Sequence, residues 1–254
     1  MTWRTQFNAI FLIAYFYGFL ALRRSPILFV AIFLTPLSFL FFLYVIAPHS
    51  VLPFGVVGGV VFTALFTGNG MMNDCAYLRL ERQIQQVFIT SPLRPFAWVL
   101  GMAVSELAWT IPALALFIVV LSFVVSLSLL AVLGLIGVIL LTWLMASSLG
   151  FLLSTFFRTL REIWPIGTVV FTTLSVLPPI FYPITAIPAD FRWVAFVSPS
   201  TFTSQLADRA AGLSVPTIAV VPALSSIPLE ILGMAGLTFL FALMAMRLAR
   251  WREP

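Results

Sequence analysis

The chain has 254 residues, 62% hydrophobic and only 8% charged, with a mean hydropathy of +1.14 and a formal net charge of +5. A soluble globular domain carries about 25% charged residues, so the composition excludes one and marks an integral membrane protein. All 13 basic residues are arginine, which excludes a P-loop phosphate site and Schiff-base chemistry, because both need a lysine.

The first apolar stretch, residues 5–22, is interrupted by Asn8, and only Arg23-Arg24-Ser25 separates it from the next. Two full spans do not turn around on three residues, two of them charged. Residues 5–22 are therefore expected to form a helix lying in the cytoplasmic interface, with Tyr15 and Tyr17 at headgroup depth. A seventh span is the alternative. No small-residue cleavage site precedes Arg23, so the stretch reads as part of the mature chain and not as a signal peptide. The first span is predicted over 26–46 and is closed by Pro48-His49-Ser50. The second, 52–73, holds Gly55, Gly58, Gly59, Gly68 and Gly70, small residues that let helix backbones approach closely.

Residues 74–95 are polar by comparison. From Leu80 the apolar positions Ile84, Val87 and Phe88 follow at i+4, i+7 and i+8. That spacing predicts an amphipathic helix over 79–90, with Ser91-Pro92 closing it. The third span, 97–124, carries Glu106. A tight turn at Ser126-Leu127-Ser128 leads to the fourth, 129–153, and the fifth follows at 163–180. Residues 181–225 are broken by Pro183, Pro188, Pro199, Pro216 and Pro222 and alternate apolar patches with polar breaks. A re-entrant outer region is expected there. Ser225-Ser226 and Pro228 open the sixth span, 227–246, and Arg247, Arg250 and Arg252 close it.

Arginine placement orients these elements. With the N-terminus inside, only Arg192 and Arg209 of the 13 arginines fall outside, which the positive-inside rule favours. The expectation is a single all-α domain over 1–254 with six transmembrane helices and both termini cytoplasmic. The pI of about 10.1 reflects this orientation and not a nucleic-acid partner. The two halves show no tandem repeat, which argues against a two-repeat secondary transporter.

Few residues offer chemistry. His49 and Cys75, the one histidine and the one cysteine, make neither a metal cluster nor an internal disulfide. His49 is expected in an exposed loop and Cys75 as an unpaired cytoplasmic thiol. No Ser/His/Asp set exists, so no catalytic residue and no metal ligand is expected. Glu106 lies about 15 Å into its span at 1.5 Å per residue. An intramembrane carboxylate is a functional position by default, as a proton site or a substrate contact. It equally suits a structural role, paired with an arginine or hydrogen-bonded to Ser105 or Thr110. Asn69, Asn73 and Asp74 either line an entrance or end a helix. Glu230, in the first turn of its span, is expected at the outer interface, against the positive end of the helix dipole.

Two stretches carry a resemblance. Arg79-Leu80-Glu81-Arg82-Gln83-Ile84-Gln85-Gln86-Val87-Phe88-Ile89-Thr90-Ser91-Pro92-Leu93-Arg94, with Gly101 after it, resembles the loop of type-2 ABC exporter permeases. Pro178-Pro179-Ile180-Phe181-Tyr182-Pro183, then Ile187-Pro188-Ala189-Asp190-Phe191, then Ser198-Pro199-Ser200-Thr201, is similar to that family's stretch after the fifth span. Gln83-Ile84-Gln85-Gln86 departs from the usual Gly-Thr-Leu-Glu, and Ser198 stands where asparagine is common.

The resemblance implies the membrane half of an ATP-driven exporter in the cell membrane of a prokaryote. A second permease chain, identical or a sister, would complete the pathway. Separate nucleotide-binding ATPase subunits would carry ATP and Mg, leaving no cofactor on this chain. The 79–90 helix would be the coupling helix, meeting the ATPase through Arg79, Leu80, Glu81, Arg82, Ile84, Val87 and Phe88. Helix 5–22 would be the connecting helix, and 181–225 the outer gate. Asn69, Asn73, Glu106, Phe181 and Tyr182 are the pathway candidates. The cargo is expected to be a hydrophobic drug, a lipid or a lipid-linked glycan. The alternatives are a proton-coupled secondary transporter or channel using Glu106, and a membrane scaffold without transport.

Overall fold

The structure is a computed structural model and describes residues 3–24, 26–46, 48–82, 93–214 and 226–248. Every regular element among them is helical: α1 (Trp3–Arg24), α2 (Pro26–Ile46), α3 (Leu52–Leu80), α4 (Pro95–Val124), α5 (Leu129–Ser154), α6 (Leu160–Val176), α7 (Arg192–Ala195), α8 (Pro199–Ala210) and α9 (Ile227–Leu248). Two single 3₁₀ turns, Ile184–Ala186 and Ala189–Phe191, precede α7. Five of these helices are long and apolar enough to cross a membrane: α1, α3, α4, α5 and α9. In α2 the described apolar stretch is the shorter Leu37–Ile46. In α6 the helix is 17 residues long and starts with Arg161 and Glu162.

Local chemistry sets the helix ends. Ser128 caps α5, its hydroxyl accepting from the Ala131 amide at 3.2 Å. Proline occupies the first turn of α3, α4 and α8, where its missing N–H costs no helical bond. Gly212, at φ +78°, ends α8 with a Schellman pair: Leu213 N–H donates to Asp208 C=O and Gly212 N–H to Arg209 C=O.

Helix α3 is the hub. In its apolar window 78% of residues are buried, against 39% or less for the other four helices of spanning length. It packs on α2, α4, α5, α6 and α8, and its glycines set the spacing. A Cβ at Gly58 would strike the Ile180 carbonyl, and one at Gly59 would strike the Phe117 ring. The Gly68 carbonyl occupies the place of a Cβ at Gly150 of α5. Between lipid-embedded helices hydrocarbon gives no net hydrophobic drive, so close backbone contact of this kind holds them together. Hydroxyls inside the bundle bond back to their own helix: Thr63 to Gly59 C=O, Thr67 to Ala64 C=O and Thr142 to Val138 C=O.

The structure revises several boundaries and placements. The second span does not stop at 73. Helix α3 runs on to Leu80, so Arg79 and Leu80 form its last turn instead of opening a separate helix. The fifth span ends at Val176, and 177–182 bends away. Helix α1 was expected to lie flat in the interface. Instead it ranges along the first half of α4 in the same direction. Arg94 N–H donates to Gln6 Oε1 at 3.1 Å, Ile13 packs on Gly101, Gly18 meets Ser105, and Trp109 Nε1 donates to Tyr17 C=O at 3.0 Å. Phe7, Phe11, Phe16 and Phe19 stay exposed on its outer side.

These contacts separate two glycine substitutions. Gly150→Ala places a methyl on the Gly68 carbonyl and should lower stability by about 1–3 kcal/mol, the usual cost of overpacking. Gly137→Ala, with nothing within 4 Å, should raise it by about 0.4–1 kcal/mol through lost unfolded-state freedom. Chemical unfolding of both variants in micelles reads the opposite signs.

Candidate functional site

The polar residues gather in three places, two on α3 and one on α8. The first lies on the C-terminal half of α3. Glu106 of α4 is buried and reaches the Gly70 backbone, where its Oε2 fills the space of a Cβ. Its carboxyl comes close to that of Asp74, one turn further along α3, so two acids share one buried place between the helices. Glu106 therefore pairs with a second acid, and not with an arginine. Cys75 is a free thiol, but buried in the bundle, 2% exposed. Glu106 Oε1, Asn69 Oδ1 and Asn73 Oδ1 are buried with no hydrogen-bond partner among the described residues. Asn69 points at Gly167 of α6, so it faces a different helix from Glu106.

The end of α3 forms the second part of the site. Arg79 turns back into the chain. Its guanidinium donates to the carbonyls of Ser154 and Phe157 at 2.6 Å each and of Thr155 at 3.3 Å. Those carbonyls belong to the C-terminus of α5, where a helix leaves acceptors unfilled and its dipole favours a cation. Leu80 is half-buried against the cluster of Met72, Ala76 and Ile163. Glu81 and Arg82 are exposed. Arg82 Nε donates to the Tyr77 hydroxyl at 2.9 Å, and its guanidinium lies 5.5 Å from that ring's centroid. Of the seven expected ATPase contacts, two are thus spent inside the fold and two face outward. Ile84, Val87 and Phe88 lie outside the described residues.

At the opposite end of α3, Phe181 is buried between Phe39 at 4.1 Å and Phe62 at 5.9 Å, and Phe62 stacks on Phe66 at 5.3 Å. Tyr182 is half-buried and donates to Leu177 C=O at 3.2 Å. Gly58, which touches Phe181, and Gly70, which touches Glu106, are about 18 Å apart along α3. The five pathway candidates therefore fall into separate groups at the two ends of one helix. The aromatic rings of Phe62 and Phe66 lie between them.

The third place, α8, was not singled out in the sequence. Its residues Ser200 to Asp208 are all buried although six of the nine are polar. Ser200 donates to Leu174 C=O at 2.5 Å, Ser204 to Pro179 C=O at 3.1 Å, and Thr201 to Ala195 C=O. Gln205 keeps both amide atoms, and Asp208 its Oδ1, without a hydrogen-bond partner among the described residues. Arg209 donates to Glu230 of α9 at 3.4 Å. Glu230 lies in the first turn of α9, as expected, and is fully buried beside Arg209. The only advance signal was the arginine on one side of the break and the glutamate on the other.

Two outcomes follow from these contacts. Arg79→Met strips three carbonyls of a charged donor and should cost about 1.5–3 kcal/mol in unfolding free energy. Arg79→Lys should restore only part, because an ammonium lacks the planar fork. Burial pushes the Asp208 carboxyl well above the usual carboxylate range. The native state then holds its proton more tightly than the unfolded state does. Stability accordingly falls as pH rises from the ordinary aspartate range through the raised folded value. Asp208→Asn should match the parent near pH 4 and unfold at a higher temperature than the parent by pH 8. Melting curves across that range check the sign.

Among proteins of known function, no curated sequence matches the chain. A family model described as ABC-2 type transporter matches residues 9–207. The match runs from α1 through almost all of α8, which is most of the chain and includes the Asp74–Glu106 pair and the end of α3. With that coverage and a bundle of apolar helices, the chain belongs to the ABC-2 type transporter family, as a multi-pass membrane permease.

Proposed function

We propose that this permease is the membrane half of an ATP-driven exporter, moving a hydrophobic drug, a lipid or a lipid-linked glycan outward across a prokaryotic cell membrane. ATP and Mg sit on separate ATPase subunits, and a second permease chain completes the pathway. Both termini and the arginine-rich end of the bundle face the cytoplasm. The observation that carries the reading is the exposed Glu81-Arg82 turn at the tip of α3, the most buried of the five helices of spanning length. A subunit gripping that turn and the segment after it would hold the helix that touches most of the fold.

Three further features support it. The chain has no lysine, so ATP-driven work needs a second protein with a P-loop. Arg79 and Leu80 fix the base of the turn to α5 and α6, which leaves Glu81, Arg82 and residues 83–90 as the contact. The apolar, aromatic face of α3 at Phe62 and Phe66 suits a lipophilic cargo better than a small ion.

The double substitution Glu81→Arg with Arg82→Glu reverses both exposed charges. It should leave membrane insertion intact while cutting co-purification of the ATPase subunit and export at least tenfold. Normal co-purification together with normal export would remove the coupling assignment.

A further inference from the structure

A cavity of about 510 Å³ opens between the N-terminal half of α4 and the C-terminal halves of α5 and α9. Its inner wall is Ala103, Phe151 and Ala245, all buried, while Phe96, Leu144 and Met246 on its rim are exposed. The cavity therefore opens sideways on the outer surface of the bundle. No residue of α3, α6 or α8 lines it, and neither does Glu106, so none of the pathway candidates named above stands in its walls. The volume is that of a small-ligand pocket, and the walls are almost wholly hydrocarbon.

Two polar features break that wall. Arg94 lines one end, with its side chain exposed and its guanidinium 5.8 Å from the centroid of the Trp3 ring. Arg247 is exposed immediately after Met246, and among the described residues no acidic side chain lines the cavity. Deeper in, Ser147 is 4% exposed and its hydroxyl has no hydrogen-bond partner among the described residues. Its neighbour Ser148 is satisfied, donating to Leu144 C=O at 2.7 Å.

The depth of Ser147 follows from its neighbours. Trp143 Nε1 donates to Ala103 C=O at 2.8 Å, and Phe151 packs on Trp98 with centroids 6.0 Å apart. Ser147 lies midway between Trp143 and Phe151 on α5, hence level with about Leu100 on α4. That is six residues, or about 9 Å, deeper than Arg94. A cation at the mouth, an unmet hydroxyl below it and a hydrocarbon slot beyond match the order of parts in a glycerolipid: phosphate, ester carbonyl, acyl chain.

We propose that this cavity binds one acyl chain of an anionic membrane glycerolipid, with the phosphate at Arg94 and an ester carbonyl accepting from the Ser147 hydroxyl. The chain itself gains little, since it leaves one hydrocarbon environment for another. Selectivity comes from the charge at the mouth. One arginine near the surface corresponds to about a five-fold preference for an anionic over a zwitterionic headgroup.

The test is native mass spectrometry of the full-length chain released from micelles, titrated with phosphatidylglycerol or with phosphatidylcholine of the same chains. One phosphatidylglycerol per chain should be retained about five-fold better than phosphatidylcholine. Arg94→Gln should equalise the two headgroups without abolishing binding, and Ala242→Trp, which fills the slot, should remove the bound lipid. Leu130→Trp, on the exposed surface at the far end of α5, should change nothing. If Ala242→Trp does not fold, Ser147→Ala serves, with several-fold weaker retention expected and the headgroup preference kept. Equal retention of both lipids by the parent chain overturns the proposal. So does full retention by Ala242→Trp, or a dimer that forms only as lipid is lost, which would make the cavity a contact between copies.

Discussion

The close approach of α3 to its neighbours is the constraint on which the rest depends. Lipid tails compete on equal terms for apolar side chains, so burial of hydrocarbon alone does not bind one span to another. Backbone contact does, and it requires residues without a Cβ. Gly58 and Gly59 admit Ile180 and Phe117 at one end of α3, Gly68 meets Gly150 in the middle, and Gly167 admits Met72 towards the other end. The contacts come from α4, α5, α6 and the bend after α6, so a side chain at any one of them tilts α3 away from the others as well. The bundle has one arrangement because these spacings must hold together.

Two polar contacts use that closeness. Gly70 lets Glu106 cross to α3, and there the second acid, Asp74, waits one turn further along. The Arg79 guanidinium reaches the end of α5 because the two helices are already in contact. In both cases a buried charge or acid is tolerated because its partner comes from another helix, in a place that apolar packing fixes first. The acid pair and the arginine cap lie less than two turns apart on α3. That end of the hub is therefore held by polar contacts, while the other end is held by aromatic rings.

The apolar runs and the arginines at their ends made the helices legible from the sequence, and Ser128 and the prolines marked several starts. The polar part of α3 was not legible. Asp74 and Arg79 look like the opening of a loop because hydropathy falls there, yet their partners, Glu106 and the 154–157 carbonyls, are remote in sequence and no local window contains them. The burial of α8 was hidden for the same reason: Ser200 to Asp208 fall in the stretch read as a re-entrant outer region, and only the helices around a run that polar bury it. The direction of α1 was missed for a different reason. Three residues between apolar runs rule out an ordinary antiparallel hairpin of spans, but the alternatives include a helix ranged along α4, which Gly18 and Gly101 allow by close contact. Of the expected partner contact, the exposed pair Glu81-Arg82 was legible from charge alone, whereas the inward turn of Arg79 was not.

A displacement at the Glu81-Arg82 turn is constrained by the same contacts. Arg79 ties the last turn of α3 to the end of α5, and Leu80 lies in the cluster formed with Ile163 at the start of α6. A push on the turn thus acts on three helices at once. Helix α6 is antiparallel to α3, meeting it at Ile163, Gly167 and Phe171, and its C-terminus leads into the bend at Ile180 and Phe181. That bend packs back on α3 at Gly58 and on the Phe39 and Phe62 rings. Helices α3 and α6 are therefore fastened to each other at both ends. A push on the turn therefore reaches the bend by two routes, along α3 itself and along α6.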